Sequence, residues 1–442
     1  MNAAIPKEDS DKLVFIRISP HIASMLVNVD PKMHPFLCTD GSLVAELDRA
    51  LYGCVESAQL WFKEITSCLT TIGLRLKATD PCTMNMTVKG VPITVVIYVD
   101  DLLLVCTDVQ VIHTVIGALK KRYGEVKTAE GLIHNYLGLV IDFTEAPIVT
   151  LNQTGMIEDI ITSTKIAVDT ARSDGSKVNL KVGPRITPKT PAPGYLFNIT
   201  EGKEPLCDSF KTIFHTVVAK LIFLANRTRA DILTAVSFLA KRVLYPTEED
   251  WVKFARTLSY LEATKLLKLR LGATFPLLVR TYIDASFAVH PDIKSHTGVC
   301  ISLGTGCFYA KSTGQKINTT SSCQAELVAA AKGLQQSIYS AYFMGEQGYL
   351  RPMVIVHQDN MSAIKLIENG RSSSELTRHI EIGYYWLKDL VSRGLIQVIY
   401  CPTREMLADI FTKPLQGALF EYLRGKILGK SPLTHHVSIT KN

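Results

Sequence analysis

The sequence predicts a multidomain chain of mixed α+β and α/β class that closes on a domain of element order βββαβααβα. Three observations lead there. The 442 residues exceed one ordinary domain. Over residues 13–160, short apolar runs of β type alternate with amphipathic stretches. A second alternation begins near residue 278, and its apolar runs carry single carboxylates.

In the first region, Leu13–Ile18, Thr94–Tyr98, Leu102–Cys106 and Leu137–Phe143 read as strands, and Ala58–Thr71 and Val111–Tyr123 as helices. Residues 164–207 hold Pro184, Pro188, Pro191 and Pro193 among Ser, Thr, Lys and Gly, the composition of a linker or long loop. Residues 208–277 are helical in spacing, with a break at Pro246. From 278 to 430, Val279–Asp284, Gly298–Leu303 and Cys307–Lys311 read as strands and Ser321–Gln347 as a long helix. Then come a strand Met353–Asp359, a short helix from Met361, a helix His379–Ser392, a strand Ile396–Cys401 and a final helix from Glu405. Residues 431–442 form a tail.

Hydrophobic residues at 47% and charged residues at 20% exclude a disordered chain. The charge of +7, from 48 basic and 41 acidic residues, is a mild excess that fits a nucleic-acid partner without requiring one. The ten cysteines include no CxxC pair and no zinc spacing, so free buried thiols in a reducing compartment are expected. The N-terminus MNAAIPKEDSDK has no signal-type apolar run. The most apolar stretch, Val91–Val105, is interrupted by Asp100 and Asp101 and is too short to span a bilayer. An intracellular protein, cytoplasmic or nuclear and without a membrane partner, is expected.

ITVVIYVDDLLLVCTD places Asp100 and Asp101 between two strand-like runs, on a tight hairpin turn. Alone, the dipeptide also fits an ordinary solvated turn. If buried, the pair would repel, and a divalent metal is the compensation its chemistry suggests. Four further carboxylates stand among hydrophobics: Asp284 in YIDASFA, Glu326 in CQAELVAAA, Asp359 in VIVHQDNMSAIKL and Asp409 in REMLADIFTKPL. Buried charge needs a partner or a metal. Singly, Asp359 could cap the helix from Met361 and Glu326 could face solvent.

LDRALYGCVESAQLWF, ATDPCTMNM, YVDD, NYLGLVID and LNQTGMIEDII, in this order, resemble the reverse transcriptase of copia-type LTR retrotransposon polyproteins. DASFAVHPDIKSHTGVCISLGTG, KINTTSSCQAELVAAAKG, HQDNMSAIKL, LTRHIEIGYYWLKDLV and ADIFTKPL resemble that family's ribonuclease H domain. The resemblance implies a palm remnant over 1–163, a thumb entry over 164–207, a helical thumb or connection over 208–277 and a ribonuclease H-like domain over 278–430. It implies catalytic and metal-binding roles for Asp284, Glu326, Asp359 and Asp409, and for Asp100 and Asp101 in the palm. Mg²⁺, with Mn²⁺ as a substitute, is the implied cofactor. An RNA·DNA hybrid and template-primer are the implied nucleic-acid partners, with Tyr98, Gly138, Arg378 and His379 at nucleic acid. Lys311, Lys316 and Arg371 are further phosphate candidates, although ordinary solvated surface is the better account of them.

The family carries a third palm aspartate on an earlier strand. Here Asn2 and Ala3 resemble the segment that follows it, and Met1 precedes them. The expectation is an N-terminally truncated palm that has lost polymerisation beside a ribonuclease H-type endonuclease. A non-catalytic element remnant that at most binds nucleic acid is the alternative. The stretch CPTREMLAD also lacks the loop histidine that ribonucleases H often carry before the last aspartate.

Overall fold

The computed structural model describes residues 15–46, 51, 55–173, 187–369 and 378–433. It divides into two compact units, residues 1–128 and 129–442.

In the first unit, strand β1 (Phe15–Ile18) pairs antiparallel with β2 (Leu43–Glu46), with helix α1 (Pro20–Val29) between them. Helix α2 (Val55–Thr71) leads into an antiparallel sheet of β3 (Arg75–Leu76), β4 (Thr83–Val88), β5 (Val91–Tyr98) and β6 (Asp101–Cys106), followed by helix α3 (Val109–Tyr123). β5 alternates as its sequence does: Ile93, Val95 and Ile97 are buried with Trp61, Ile65 and Leu69 of α2 and Val111, Val115 and Leu119 of α3. Asp108 caps α3 by accepting from the Gln110 amide at 2.8 Å, and Lys120, Lys121 and Arg122 lie in its last turn, where the helix dipole favours cations.

The second unit opens with β7 (Ile133–Tyr136), β8 (Leu139–Asp142) and β9 (Val149–Asn152). Helices α4 (Thr154–Ser173), α5 (Asp208–Arg227), α6 (Leu233–Arg242) and α7 (Glu248–Ala263) follow, and then β10 (Leu269–Ala273), which pairs with β9. The boundary expected at residue 163 therefore falls inside α4. The stretch 187–207, expected as a linker, is irregular but packed. Ala192, Leu196, Phe197 and Leu206 are buried, Lys253 donates to the Asn198 carbonyl at 2.6 Å, and Gln416 exchanges hydrogen bonds with Thr190 and Ala192.

Beyond β10 run β11 (Leu278–Ser286), β12 (His296–Ser302), the two-residue β13 (Gly304–Thr305), β14 (Tyr309–Gly314), α8 (Ser322–Glu346), β15 (Met353–Gln358), α9 (Met361–Asn369), α10 (Arg378–Ser392), β16 (Ile396–Tyr400) and α11 (Gly417–Ile427). With β13 set aside in a different sheet, this is the expected βββαβααβα order, the ribonuclease H-like fold. The sheet runs β14-β12-β11-β15-β16, antiparallel among the first three and parallel from β11 to β15 to β16.

Every residue of β11 is buried. One face of the sheet packs Val279, Ile283 and Val299 against α8 and Leu387 and Leu390 of α10. Tyr282, Cys300 and Cys307 belong instead to the core formed by α4–α7, residues 406–411 and α11. That core thus continues across residue 278. A bidentate pair lies deep within it, where Arg229 donates to both Asp231 oxygens at 2.9 and 2.8 Å. Tyr260 of α7 also donates to Asp231, at 2.6 Å, and Arg424 of α11 donates to Tyr260 at 3.2 Å. Burial works against both charges, yet their mutual attraction still holds Asp231 below the ordinary carboxylate value.

None of the nine described cysteines forms a disulfide. Cys300, Cys307 and Cys401 are buried as expected, whereas Cys82 and Cys207 are exposed. No helix among the described residues is long and apolar enough to cross a membrane.

A fragment of residues 278–430 is expected to lack a cooperative melting transition by circular dichroism. It strips Tyr282, Cys300, Phe411, Phe420 and Leu423 of the helices that cover them. Residues 129–442 should melt cooperatively. A sharp transition in the short fragment would show that the shared core is dispensable.

Candidate metal centre

The sheet topology brings the distant carboxylates together. Asp284 lies near the C-terminal end of β11, and Asp359 directly follows the parallel neighbour β15, whose last residues continue the register Tyr282↔His357. Glu326 comes from the second turn of α8. That helix is started by Ser321, which accepts from the Gln324 amide, while the Gln324 side chain accepts from the Thr320 amide and hydroxyl at 2.8 Å. Gln324 is thus a capping residue. Gln315 ties the helix start to β12 by donating to the Ala325 carbonyl at 2.9 Å and the Thr297 hydroxyl at 3.1 Å.

Asp284, Glu326 and Asp359 each offer an oxygen within 4.8 Å of the others. Asp284 and Glu326 are buried and Asp359 is half-buried, so neither bland alternative holds. The helix from Met361 is capped by Asn360, which accepts from the Ser362 and Ala363 amides, leaving Asp359 for the cluster. Glu326 points inward, and Gln358 donates to it at 3.2 Å.

Asp409 is buried, but not on the final helix as expected. It sits on a short 3-10 segment, Leu407–Phe411, and α11 begins only at Gly417. Pro414 is the physical reason: it has no amide to donate and disfavours helical geometry at Lys413. The 3-10 segment lies directly on β12 at Gly298. A Cβ there would come within 2.6 Å of the Ala408 carbonyl oxygen and 2.7 Å of Thr412 Cγ2. Gly298 is the register partner of Asp284, so its bare backbone is what lets Asp409 reach the cluster.

Two residues that sequence reasoning did not single out complete the site. Thr412 donates its hydroxyl to Asp284 Oδ2. Lys413 Nζ lies 2.7 Å from Asp409 Oδ1 and 3.5 Å from Asp284 Oδ2. The signal was present in ADIFTKPL, where Lys413 stands four residues after Asp409.

Burial, and then the neighbouring Asp284, push Glu326 up to about 9 and Asp409 up to about 7. The same two causes raise Asp359. The cluster therefore carries more negative charge than its surroundings compensate. An all-oxygen, carboxylate-rich donor set of this kind suits a hard divalent cation. Asp284, Glu326 and Asp359 would hold one such ion, and Asp409 stands beside them.

The first-unit pair behaves differently. Asp100 lies on the two-residue turn between β5 and β6, and Asp101 opens β6, where it pairs with Tyr98. Both are exposed, as is Tyr98, in keeping with the solvated turn that the dipeptide alone also fits. Trp61 pins this turn by donating to the Val99 carbonyl. Among the described residues they join no group of three metal-ligating side chains. Gly138 sits at the tip of the β7–β8 hairpin beside Leu137, both with positive φ (75° and 50°), the conformation of a two-residue hairpin turn. It belongs to the second unit.

The side chains of Arg378 and His379, at the start of α10, lie outside the described residues, as does Arg371. Lys311 is half-buried on β14 and Lys316 is exposed beyond it. Desolvation first, and then their two charges, lower the pKa of Lys332 on α8, so the three lysines share one patch.

The raised carboxyl groups set a pH dependence for the metal-free protein. Glu326 and Asp409 bind protons in the folded state that they would release in the unfolded chain, where their ordinary values are 4.5 and 3.8. Their contribution to stability is complete below those values. It is lost as pH rises, through about 7 for Asp409 and about 9 for Glu326. Without metal, Glu326→Gln should therefore melt above wild type at pH 9, with the gap closing towards pH 5. An equal gap at both pH values would show that Glu326 ionises freely.

Residues 34–172 match the reverse transcriptase (RNA-dependent DNA polymerase) family. The chain is 30% identical over 389 residues to the Retrovirus-related Pol polyprotein from transposon RE1 of Arabidopsis thaliana, covering 87% of this chain and 25% of that protein. It is 26% identical over 382 residues to the corresponding polyprotein from transposon TNT 1-94 of Nicotiana tabacum, covering 86% and 28%. The chain thus spans about a quarter of the length of these curated relatives. A foamy viral protease-reverse transcriptase, solved in complex with an RNA/DNA hybrid, aligns with a TM-score of 0.47 at 13% identity over 86% of this chain and 42% of that one. Over most of its length the chain is a copia-type reverse transcriptase–ribonuclease H region, with residues 34–172 in the reverse transcriptase family.

Proposed function

We propose that the second unit is a divalent-metal-dependent nuclease that cleaves the RNA strand of RNA·DNA hybrids. The observation that carries this reading is the convergence of Asp284, Glu326 and Asp359 within 4.8 Å at one end of a ribonuclease H-like sheet, with Asp409 beside them. The similarity to transposon Pol polyproteins supports the same class of chemistry.

Each residue's part follows from its placement. Asp284 is central, since it belongs to the three-carboxylate group and also pairs with Lys413. Thr412 fixes the rotamer of Asp284, and Gln358 orients Glu326. Glu326, protonated without a cation, is the group that ionises as one is taken up. Mg²⁺, or Mn²⁺ in its place, would supply the charge that makes water a nucleophile at neutral pH and stabilises the leaving oxygen. The hybrid would be selected by its shape and 2′-hydroxyls, with the Lys311–Lys316–Lys332 patch available to phosphates.

For the first unit we propose a palm that does not polymerise as this polypeptide alone. Support comes from the exposed Asp100–Asp101 turn, which gathers no third carboxylate among the described residues.

With the full chain and a labelled hybrid in Mg²⁺, Asp284→Asn or Asp359→Asn should slow cleavage by at least ~10²-fold, and Glu326→Gln by a similar factor. Asp409→Asn should cost less. Asp100→Asn should leave cleavage unchanged. If wild type and Asp359→Asn both leave the hybrid intact while folded by circular dichroism, the nuclease reading fails and nucleic-acid binding without catalysis takes its place.

Primer extension on a homopolymeric RNA template should be absent in Mg²⁺ and in Mn²⁺. Extension by wild type that disappears in Asp100→Asn would overturn the palm proposal.

A further inference from the structure

Between Asp284 and Asp409 lies a cation that belongs to the protein. Lys413 Nζ is 2.7 Å from Asp409 Oδ1 and 3.5 Å from Asp284 Oδ2. The carboxylates of Asp284, Asp409 and Asp359 outweigh the burial that opposes its charge. Its position differs from that of the three-carboxylate group. Glu326 and Asp359 form the three-carboxylate group with Asp284, whereas Lys413 pairs with Asp409 and Asp284. We propose that Lys413 is an internal counter-cation holding the second cation position of the site, between Asp284 and Asp409, and that it must swing out before a second divalent ion can be held there.

The argument rests on the reading of the cluster as a metal centre and then on space, charge and reach. An ammonium at 2.7 Å from one carboxylate oxygen, and close to a second, stands where another cation would have to bind both. Two cations that share the same oxygens repel and compete. The Lys413 side chain keeps 38% of its exposure while Asp284 and Asp409 keep 3% each, so the lysine has a route to solvent and the carboxylates do not. A lysine has a flexible four-carbon stem and no fixed donor plane, which suits a cation that leaves and returns. The short segment from Leu407 to Phe411 and Pro414 hold the backbone on either side of Thr412 and Lys413, so the motion falls to the side chain.

Asp284, Glu326 and Asp359 should therefore take a first ion without displacing anything. A second, weaker binding event should depend on Asp409 and be opposed by Lys413. A neutral side chain at 413 removes the competitor. An arginine keeps the charge, and its fork pairs with carboxylates at least as well.

The test counts Mn²⁺ bound to the full chain by electron paramagnetic resonance of the free ion. Wild type should show a tighter event abolished in Asp359→Asn and a weaker one abolished in Asp409→Asn. Lys413→Met should strengthen the weaker event about tenfold and change the tighter one by less than about twofold, while Lys413→Arg should leave the weaker event weak. Lys413→Gln serves the same purpose if the methionine variant does not fold. A weaker event unchanged or lost in the folded neutral variant would overturn the proposal, and so would equal strengthening by arginine. Wild type binding no Mn²⁺ that depends on Asp359 would instead remove the metal-centre reading beneath it.

Discussion

A carboxylate in a strand buried along its whole length is the constraint from which the second unit is built. β11 is buried from Leu278 to Ser286, covered by α8 on one face and by the helical core on the other, and Asp284 stands within it. An unpaired carboxylate there would be costly. The surrounding structure answers with a hydroxyl from Thr412, an ammonium from Lys413 and two carboxyl groups that can share protons or a cation. The first two come from one short segment, and that segment can reach Asp284 only because Gly298, on the adjacent strand, carries no side chain.

The helical region that precedes the sheet is part of the same construction. The face of the sheet that carries Tyr282 and Cys300 is covered by the segment Leu407–Phe411 and shares the core of α4–α7 and α11, not that of α8 and α10. The buried Arg229–Asp231 pair, joined through Tyr260 to Arg424, fixes the turn before α6 to α7 and to the last helix. Such a pair costs desolvation energy and adds little net stability, but leaving either partner alone in the core would cost several kcal/mol, about 3–5 by analogy with other buried pairs. It therefore enforces one arrangement of helices, and so one position for the segment bearing Asp409.

Much of this was legible in the sequence. The hairpin bearing Asp100 and Asp101 announced itself by two apolar runs around a polar turn, and the four distant carboxylates stood out because each interrupted a hydrophobic run. Periodicity also recovered the element order from β11 to β16. What was not legible depended on contacts between remote segments. Thr412 and Asp284 meet across 128 positions of sequence, and no local pattern marks such a pair. The helical reading of the segment around Asp409 followed its apolar spacing and underweighted Pro414. The proline cluster of residues 184–193 suggested a linker because composition reports backbone habit, not whether Ala192 and Leu196 find a core to enter. For Asp100 and Asp101, apolar flanks said that the strands are buried but said nothing about the turn between them.

The close approach at Gly298 bears on how copies of such an element would decay. A duplicated gene free of selection accumulates changes at every codon, and inventories of acidic residues are the natural way to sort intact copies from dead ones. Any side chain at 298 would collide with the Ala408 carbonyl and with Thr412, displacing Asp409 and Lys413 together. Such a copy would keep every carboxylate in its sequence and still have no assembled centre, so glycine at this position belongs in the inventory beside the acids.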